Sequence, residues 1–291
     1  MKLHAKLNLI LVVVFAASLV PTGFILRSLL RENARTQVIQ NARIMMETAM
    51  AMRSYTVTQV RPLIASQMDK TFLPQSVPAY SATEIFNSLR KSHPEYTYKE
   101  ATLNPTNPRN RAVDWETDLV NEFRRDEDLR EIVGERDTPL GRSLYLSHRL
   151  RVSNEGCLSC HTTPAAAPAS MLAVYGSNNG FGWKMGETIG AQIVQVPMST
   201  SLGMADRALQ RLMLTLVGVF LFVLVVVNLL LHLVVVRPIA QLSSMADKVS
   251  HGDLDVADVE LSGSYEVSLL GHSFNRMRIS LVKALKMLEE D

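Results

Sequence analysis

The chain has 291 residues, 47% of them hydrophobic, and a formal net charge of +2. This near balance of charge, with no basic stripe interleaved with aromatic residues, argues against a nucleic-acid partner. Only two cysteines are present. Any cysteine chemistry is therefore confined to the short window that holds both of them.

Two apolar runs are each long enough to cross a bilayer, which takes about 20 residues. Residues 7–26 and 212–236 contain no Asp, Glu, Lys or Arg, and both are predicted to be transmembrane helices. A basic start with Lys2 and Lys6 also suits a cleaved signal peptide. The apolar run continues through Leu26, however, which favours an uncleaved anchor.

The segment between the two runs, residues 28–208, is long enough for one domain with its own core. Residues 31–60 lack Pro and Gly and are predicted to form a helix that continues from the first span. Further along, the pattern predicts a helix at 81–90 capped by Ser81, a strand at 96–102, a turn-rich loop at 104–110, a helix at 112–133, a strand at 144–152, a loop at 164–169 and a strand at 189–196. This mixture predicts an α+β domain.

The most informative motif is Cys157-Leu158-Ser159-Cys160-His161. Two thiols at this spacing can each add to a haem vinyl group, and the adjacent histidine can bind the iron. Three other interpretations of the motif fit less well. A zinc site needs about four protein ligands, and a thioredoxin-like dithiol needs a βαβ context, neither of which this sequence offers. A simple disulfide is possible but leaves His161 without a role. The motif predicts one covalent haem c, with Cys157 and Cys160 as its thioether links and His161 as the proximal ligand.

The motif also predicts the topology, which the distribution of Lys and Arg leaves open. Because c-type haem is attached outside the cytoplasm, residues 27–211 are expected to be periplasmic in a bacterium. Residues 1–6 and 237–291 then lie in the cytoplasm. The expected location is the bacterial inner membrane, which the chain crosses twice.

The second axial ligand of the iron has several candidates. Met46 and Met50 are spaced i and i+4 on the predicted long helix, so they share a face, and either thioether could bind iron. Such methionines also serve simply as core packing. His148 is a lesser candidate, because a histidine on a strand is more often only hydrogen-bonded.

Three separate stretches resemble the bacterial c-type haem sensor domains that have a PAS-like fold: Tyr98–Asn110, the motif from Cys157 to His161, and Gly176–Trp183. The resemblance covers about residues 30–200. It implies a periplasmic PAS-like sheet, one covalent haem and a signalling role. Members can take a distal sulfur ligand from the long helix, in some cases a cysteine, but this chain has no cysteine to spare.

The segment after the second run resembles a HAMP linker. Pro238 opens a first amphipathic helix, Gly252-Asp253-Leu254 follows it, and a second helix begins near Glu266 and carries Phe274-Asn275-Arg276-Met277. Tyr265-Glu266 stands where an Asp-Glu pair is usual. The resemblance implies a parallel four-helix bundle across a homodimer, whereas an unrelated amphipathic hairpin near the membrane is the alternative.

Together these features predict a membrane-bound haem sensor that transmits a redox or small-gas signal through HAMP to a separate cytoplasmic partner. No hydrolytic nucleophile, base or metal constellation is recognisable, so the chain is not expected to be an enzyme. The alternative function is that of a membrane-anchored c-type cytochrome that only transfers electrons.

Overall fold

The structure is a computed structural model that describes residues 3–68, 70–253 and 265–289. Two residues used in the sequence analysis lie outside these ranges. They are Lys2, in the basic start of the chain, and Leu254, in the turn after the first predicted HAMP helix.

The chain divides into two units, Leu26–Leu209 and the pair of segments Met1–Ile25 with Gln210–Asp291. The helices of the described residues are α1 Leu3–Tyr55, α2 Arg61–Met68, α3 Pro78–Leu89, α4 Asp114–Arg125, α5 Glu155–His161, α6 Ala169–Tyr175, α7 Ser199–Leu231, α8 Arg237–Ser250 and α9 Tyr265–Glu289. Two π-helical segments occur at Thr56–Val60 and His232–Val236, and 3-10 turns occur at Pro74–Ser76, Pro108–Asn110 and Pro164–Ala166. The strands are β1 Thr97–Thr102, β2 Glu131–Thr138, β3 Gly141–Arg151 and β4 Thr188–Pro197.

The four strands of the Leu26–Leu209 unit form one antiparallel sheet in the order β1-β4-β3-β2. Strand β2 is therefore an edge strand. Its ladder to β3 runs from the pair Glu131 and His148 to the pair Thr138 and Gly141. The predicted strands at 96–102, 144–152 and 189–196 correspond to β1, β3 and β4, so the α+β class is confirmed.

Both faces of the sheet are covered by helices. Because side chains alternate along a strand, each strand supplies a different apolar set to each face. On one face, α1 packs on the central strands through Val38, Ala42, Met46, Ala49, Leu144, Leu146, Val194 and Val196. On the other face, α4 packs on Ala101, Ala191 and Ile193 through Leu119, Val120 and Phe123.

Two predicted boundaries are wrong around α4 and β2. The helix predicted over 112–133 ends at Arg125, and Glu131–Val133 belongs to β2. The side chain of Asp126 accepts hydrogen bonds from the backbone N–H groups of Asp128 and Leu129, which turns the chain out of the helix. Strand β2 lies at the edge of the sheet and is mostly polar. It therefore lacks the alternating apolar pattern by which a strand is recognised in a sequence.

The prediction of Ser81 as a helix cap is also wrong. Helix α3 begins at Pro78, three residues earlier, with Val77 as its capping residue. A proline is well suited to the first helical turn, since it has no N–H group to leave unpaired. Ser81 lies inside the helix, and its hydroxyl donates to the carbonyl of Gln75. The loop predicted at 164–169 likewise gives way to α6 at Ala169.

Within the part of the chain that the structure describes, two helical runs are long and apolar enough to cross a membrane, judged by length and composition. They are Ala5–Met68 and Ser199–Ser250, which contain the two predicted spans. In the unit that holds them, Asn8 and Asn228 exchange side-chain amide hydrogen bonds of 3.0 and 2.9 Å. Each amide thus satisfies the other within apolar surroundings. Phe15 also stacks on Phe220 at 3.8 Å, so α1 and α7 pair antiparallel here.

After the second run, α8 and α9 pack against each other through a small apolar cluster. Leu242 of α8 and Phe274 of α9 are buried in it, with Met245 and Val249 alongside. This packing agrees with the predicted pair of amphipathic helices.

A buried polar network joins α1 to the sheet. Arg53 forms an ion pair with Glu100 of β1, whose side chain is 2% exposed. The Tyr98 hydroxyl donates to the other Glu100 oxygen at 2.7 Å, and the Gln192 amide donates to Tyr98 at 3.1 Å. Burial, followed by the charge of Glu100, raises the pKa of Tyr98 well above its ordinary value. Tyr98 therefore stays a neutral hydrogen-bond donor.

We predict that Glu100→Gln lowers the free energy of unfolding by about 2 kcal/mol, because the partly buried Arg53 then loses its counter-charge within a buried network. The matched control is Glu84→Gln, which removes the exposed pair between Glu84 and Arg109 and is expected to cost less than about 1 kcal/mol. Thermal and urea unfolding of the full chain measure both values. Equal losses in the two variants would contradict the account.

Candidate functional site

The cysteine motif folds as a short helix, α5, that follows the end of β3. The Asn154 side chain caps it by accepting from the Gly156 N–H at 2.7 Å. Helical spacing of i, i+3 and i+4 puts Cys157, Cys160 and His161 on one side of the helix. The two thiols are partly buried and are not joined in a disulfide. The motif thus presents two thiols and an imidazole to the same region.

The imidazole of His161 is held in one orientation. Its Nδ1 lies 2.7 Å from the carbonyl oxygen of Gly180, and its ring stacks on Trp183 with 3.8 Å between centroids and 13° between planes. Because a carbonyl only accepts hydrogen bonds, Nδ1 must carry the proton, which leaves the lone pair on Nε2. Burial lowers the pKa of His161, although the Gly180 carbonyl acts in the opposite direction.

Three stretches that are far apart in the sequence meet at this imidazole. Thr106, from the predicted turn-rich loop, puts its hydroxyl 3.5 Å from the His161 Nδ1. Gly180 and Trp183 come from the glycine-rich stretch, whose backbone is tied to α5 by hydrogen bonds from Gly182 to Thr162 and from Trp183 to His161. These are the same three stretches on which the resemblance in the sequence rests.

An apolar cluster supports α5 from the sheet. Leu150, Val152 and Ile189 are buried, and Cys157, Leu158 and Trp183 pack against them. The alternation along β3 explains part of this arrangement, since Leu144 and Leu146 pack on α1, while Leu150 on the same face reaches the motif and Val152 follows just after the strand. Water is thereby kept from one side of the site.

The residues after α1 contact the motif helix directly. The guanidinium of Arg61 donates to the Gly156 carbonyl at 3.3 and 3.4 Å and to the Ser159 hydroxyl at 3.2 Å. Arg53 lies in the last turn of α1. Between these two arginines the helix widens into the π-helical turn Thr56–Val60, and such turns often occur at functional sites.

The predicted distal ligands have three different environments. Met46 is fully buried in the apolar core between α1 and the sheet, whereas Met50 is 46% exposed. The Nε2 of His148 lies 3.2 Å from an oxygen of Glu131, which also pairs with Arg43. The hydrogen bond from Arg43 lowers the pKa of Glu131. Iron ligation by Met46, Met50 or His148 stays a prediction.

A cavity of about 570 Å³ lies beside the end of α1, and its walls are mostly apolar. The residues that line it are Thr48, Ala51, Met52, Tyr55, Thr56, Val60, Gln75, Ser81 and Ile85. Met52 is another thioether of the same long helix, but only Met46 and Met50 were predicted as iron ligands.

The donor set fits a covalently bound haem. Cys157 and Cys160 can supply the two thioether links, and His161 offers an unprotonated Nε2 as an axial ligand. A histidine that ligates a metal usually donates its other ring N–H to a carbonyl or carboxylate, and His161 does so toward Gly180. Gly180 and Trp183 were not predicted as site residues. Only their place in the glycine-rich stretch signalled them.

The fold and site thus define an α+β domain that presents a cysteine–histidine motif, followed by a helical pair. The Tll0287-like family model matches residues 31–197, more than half of the 291-residue chain, so the chain belongs to the Tll0287-like family. A HAMP domain model matches residues 230–283, which confirms the predicted HAMP domain. This domain and the two apolar helices are consistent with a membrane protein.

One solved structure similar to this chain is described as the crystal structure of the cyanobacterial heme-protein Tll0287. The two chains share 16% sequence identity, with a TM-score of 0.41. The alignment covers 55% of this chain and 94% of the cyanobacterial one. A search of curated proteins found no match.

We predict that one of the two variants Met46→Leu and Met50→Leu alters the absorption spectrum of the haem predicted here. Each substitution removes a thioether while nearly conserving volume, so the variant that changes the spectrum identifies the ligand. His148→Gln is expected to leave the spectrum unchanged, since Glu131 engages that imidazole. Spectra of the oxidised and reduced full-length variants provide the test. Unchanged spectra for both methionine variants would contradict methionine ligation.

Proposed function

We propose that this chain is a membrane-bound sensor that carries one covalent haem c. Cys157 and Cys160 form the thioethers, and His161 binds the iron through Nε2. The observation that carries the proposal is the hydrogen bond between the His161 Nδ1–H and the Gly180 carbonyl, since it leaves Nε2 unprotonated. Membership of a family named after Tll0287, which is described as a haem protein, supports it.

The chain's own residues bind and orient the cofactor. Trp183 covers one face of the imidazole, and the cluster around Leu150 and Val152 excludes water from behind α5. A bound haem supplies an iron that can change oxidation state or take up a small gas. The signal is therefore a redox change or a gas that displaces the distal ligand. The sheet, with α1 packed along one face, supports a PAS-like assignment for this domain.

The proposed location is the bacterial inner membrane. The two apolar helices cross it at about residues 7–26 and 212–236, and the haem domain between them is periplasmic, where c-type haem is attached. Helix α1 continues without a break from Leu3 to Tyr55, which favours an uncleaved anchor over a signal peptide. Both termini then lie in the cytoplasm.

The HAMP domain supports a homodimer and a signalling role. Leu242 and Phe274 are buried between α8 and α9, but other apolar residues of these helices stay 43–59% exposed in the single chain, namely Ile239, Leu270, Met277 and Leu281. A second copy could cover them in a four-helix bundle. We propose that this bundle acts on a separate cytoplasmic partner and that the chain is not itself an enzyme.

Helix α1 is the proposed route of the signal. It includes the first apolar run, packs on the sheet through Met46, and is followed by the π-helical turn and by Arg61, which contacts α5. A change at the iron would shift this helix and bias the HAMP bundle between two packings.

The second candidate function is electron transfer by a membrane-anchored c-type cytochrome. A rigid haem with two strong axial ligands would suit that role. The HAMP match favours sensing, because an electron carrier has no use for a two-state cytoplasmic bundle.

Spectra of the purified protein test the haem and its openness. We expect haem absorption in the oxidised and reduced states. A gas sensor should also change its spectrum when CO or NO is added to the reduced protein, whereas a redox sensor should change its structure on reduction. A protein that matures in a host with haem-attachment machinery but lacks haem absorption would contradict the proposal.

Deletion of residues 239–291 separates the sensor from the carrier. We expect the truncated protein to keep the wild-type haem spectrum while the cellular response that depends on the full chain is lost. The spectrum is the control for a folded haem domain. A full cellular response without the HAMP domain would contradict the sensor and support the carrier.

A further inference from the structure

We propose that Gly180 is a positioning residue for the iron ligand. Its tight packing on Thr106 lets its carbonyl hold the His161 Nδ1–H, and this hydrogen bond lowers the reduction potential of the haem. This inference rests on the proposed function, since it concerns the haem bound through His161. It adds to that function a residue that tunes the iron without contacting it.

Two independent features require a glycine at position 180. Its φ is +86°, a conformation that side chains disfavour. A Cβ atom placed there would also lie 1.9 Å from the Thr106 Oγ1 and 2.9 Å from the Thr106 Cα. Because the second of these is a backbone atom, a side-chain rotation cannot relieve the overlap.

Two other glycines in the same stretch share the positive φ of Gly180 but not its close approach to Thr106. Gly176 and Gly182 also have positive φ, at +75° and +83°, but a Cβ at either would meet nothing within 4 Å. The close approach to Thr106 thus distinguishes Gly180 from neighbours that share its backbone conformation.

This close approach determines where the Gly180 carbonyl points. Thr106 lies against Gly180 on one side, and the hydrogen bonds from Gly182 to Thr162 and from Trp183 to His161 tie the following residues to α5. The carbonyl oxygen is held at 2.7 Å from the His161 Nδ1, while Trp183 stacks on the ring. The imidazole is therefore constrained both in rotation and in tautomer.

The consequence for the iron follows from ligand basicity. A hydrogen bond from the imidazole N–H to a carbonyl makes the opposite nitrogen a stronger donor. A stronger donor stabilises ferric iron more than ferrous iron, and hydrogen bonding around the ligands is one means by which proteins tune haem potentials. Gly180 therefore lowers the reduction potential.

The test is spectroelectrochemical titration of the full-length Gly180→Ala protein. We expect a shift of the reduction potential to a more positive value, and faster solvent exchange of the His161 Nδ1 proton in NMR spectra of the reduced protein. The matched control is Gly176→Ala, which introduces the same backbone strain without a contact.

Two outcomes would overturn the proposal. They are a wild-type potential in Gly180→Ala with normal haem content, and equal shifts in Gly180→Ala and Gly176→Ala. If Gly180→Ala does not fold, Thr106→Ala loosens the same contact, and Thr106→Val is its control because it removes the hydroxyl near the His161 Nδ1 but keeps the bulk against Gly180. The potential should shift further in Thr106→Ala than in Thr106→Val, and in the positive direction. An unchanged potential and proton exchange in Thr106→Ala would then refute the proposal.

Failure of the proposed function has a different signature. A wild-type protein without haem gives no potential to titrate, and it refutes haem binding itself. A wild-type protein with haem whose potential is indifferent to Gly180 refutes only the positioning role.

Discussion

The hydrogen bond from His161 to the Gly180 carbonyl is the interaction on which the site depends. It joins α5 to the glycine-rich stretch, at a glycine that lies close to Thr106, and it determines which nitrogen of the ring is free. Without it, the motif would offer two thiols and an imidazole whose protonated nitrogen is not determined. With it, the same residues form a directed donor set that fits iron.

A polar network holds the end of α1 on the sheet, next to the segment that contacts the motif helix. Arg53 is anchored by buried Glu100, and a π-helical turn separates it from Arg61, which contacts α5. The end of α1 is therefore bound to the sheet, and the helical segment that follows it contacts the motif helix.

Much of the fold is readable from the sequence because its local patterns are strong. The alternating apolar residues of the sequence correspond to strands β3 and β4. The long stretch without Pro or Gly corresponds to part of helix α1. Strand β2 was hidden because its polar edge composition resembles a charged helix. Met46 and Met50 share a predicted face but differ in burial, which depends on the packing of the sheet. The hydrogen bond between His161 and Gly180 could not be predicted, since a loop brings together two residues that are 19 positions apart.

The most direct test of the central claim is mass spectrometry of the full-length protein made in a bacterium that attaches haem c. The account predicts that the proteolytic peptide containing Cys157 and Cys160 carries the mass of one haem, and that neither thiol reacts with an alkylating reagent. Two free, alkylatable thiols and no haem on this peptide would contradict it.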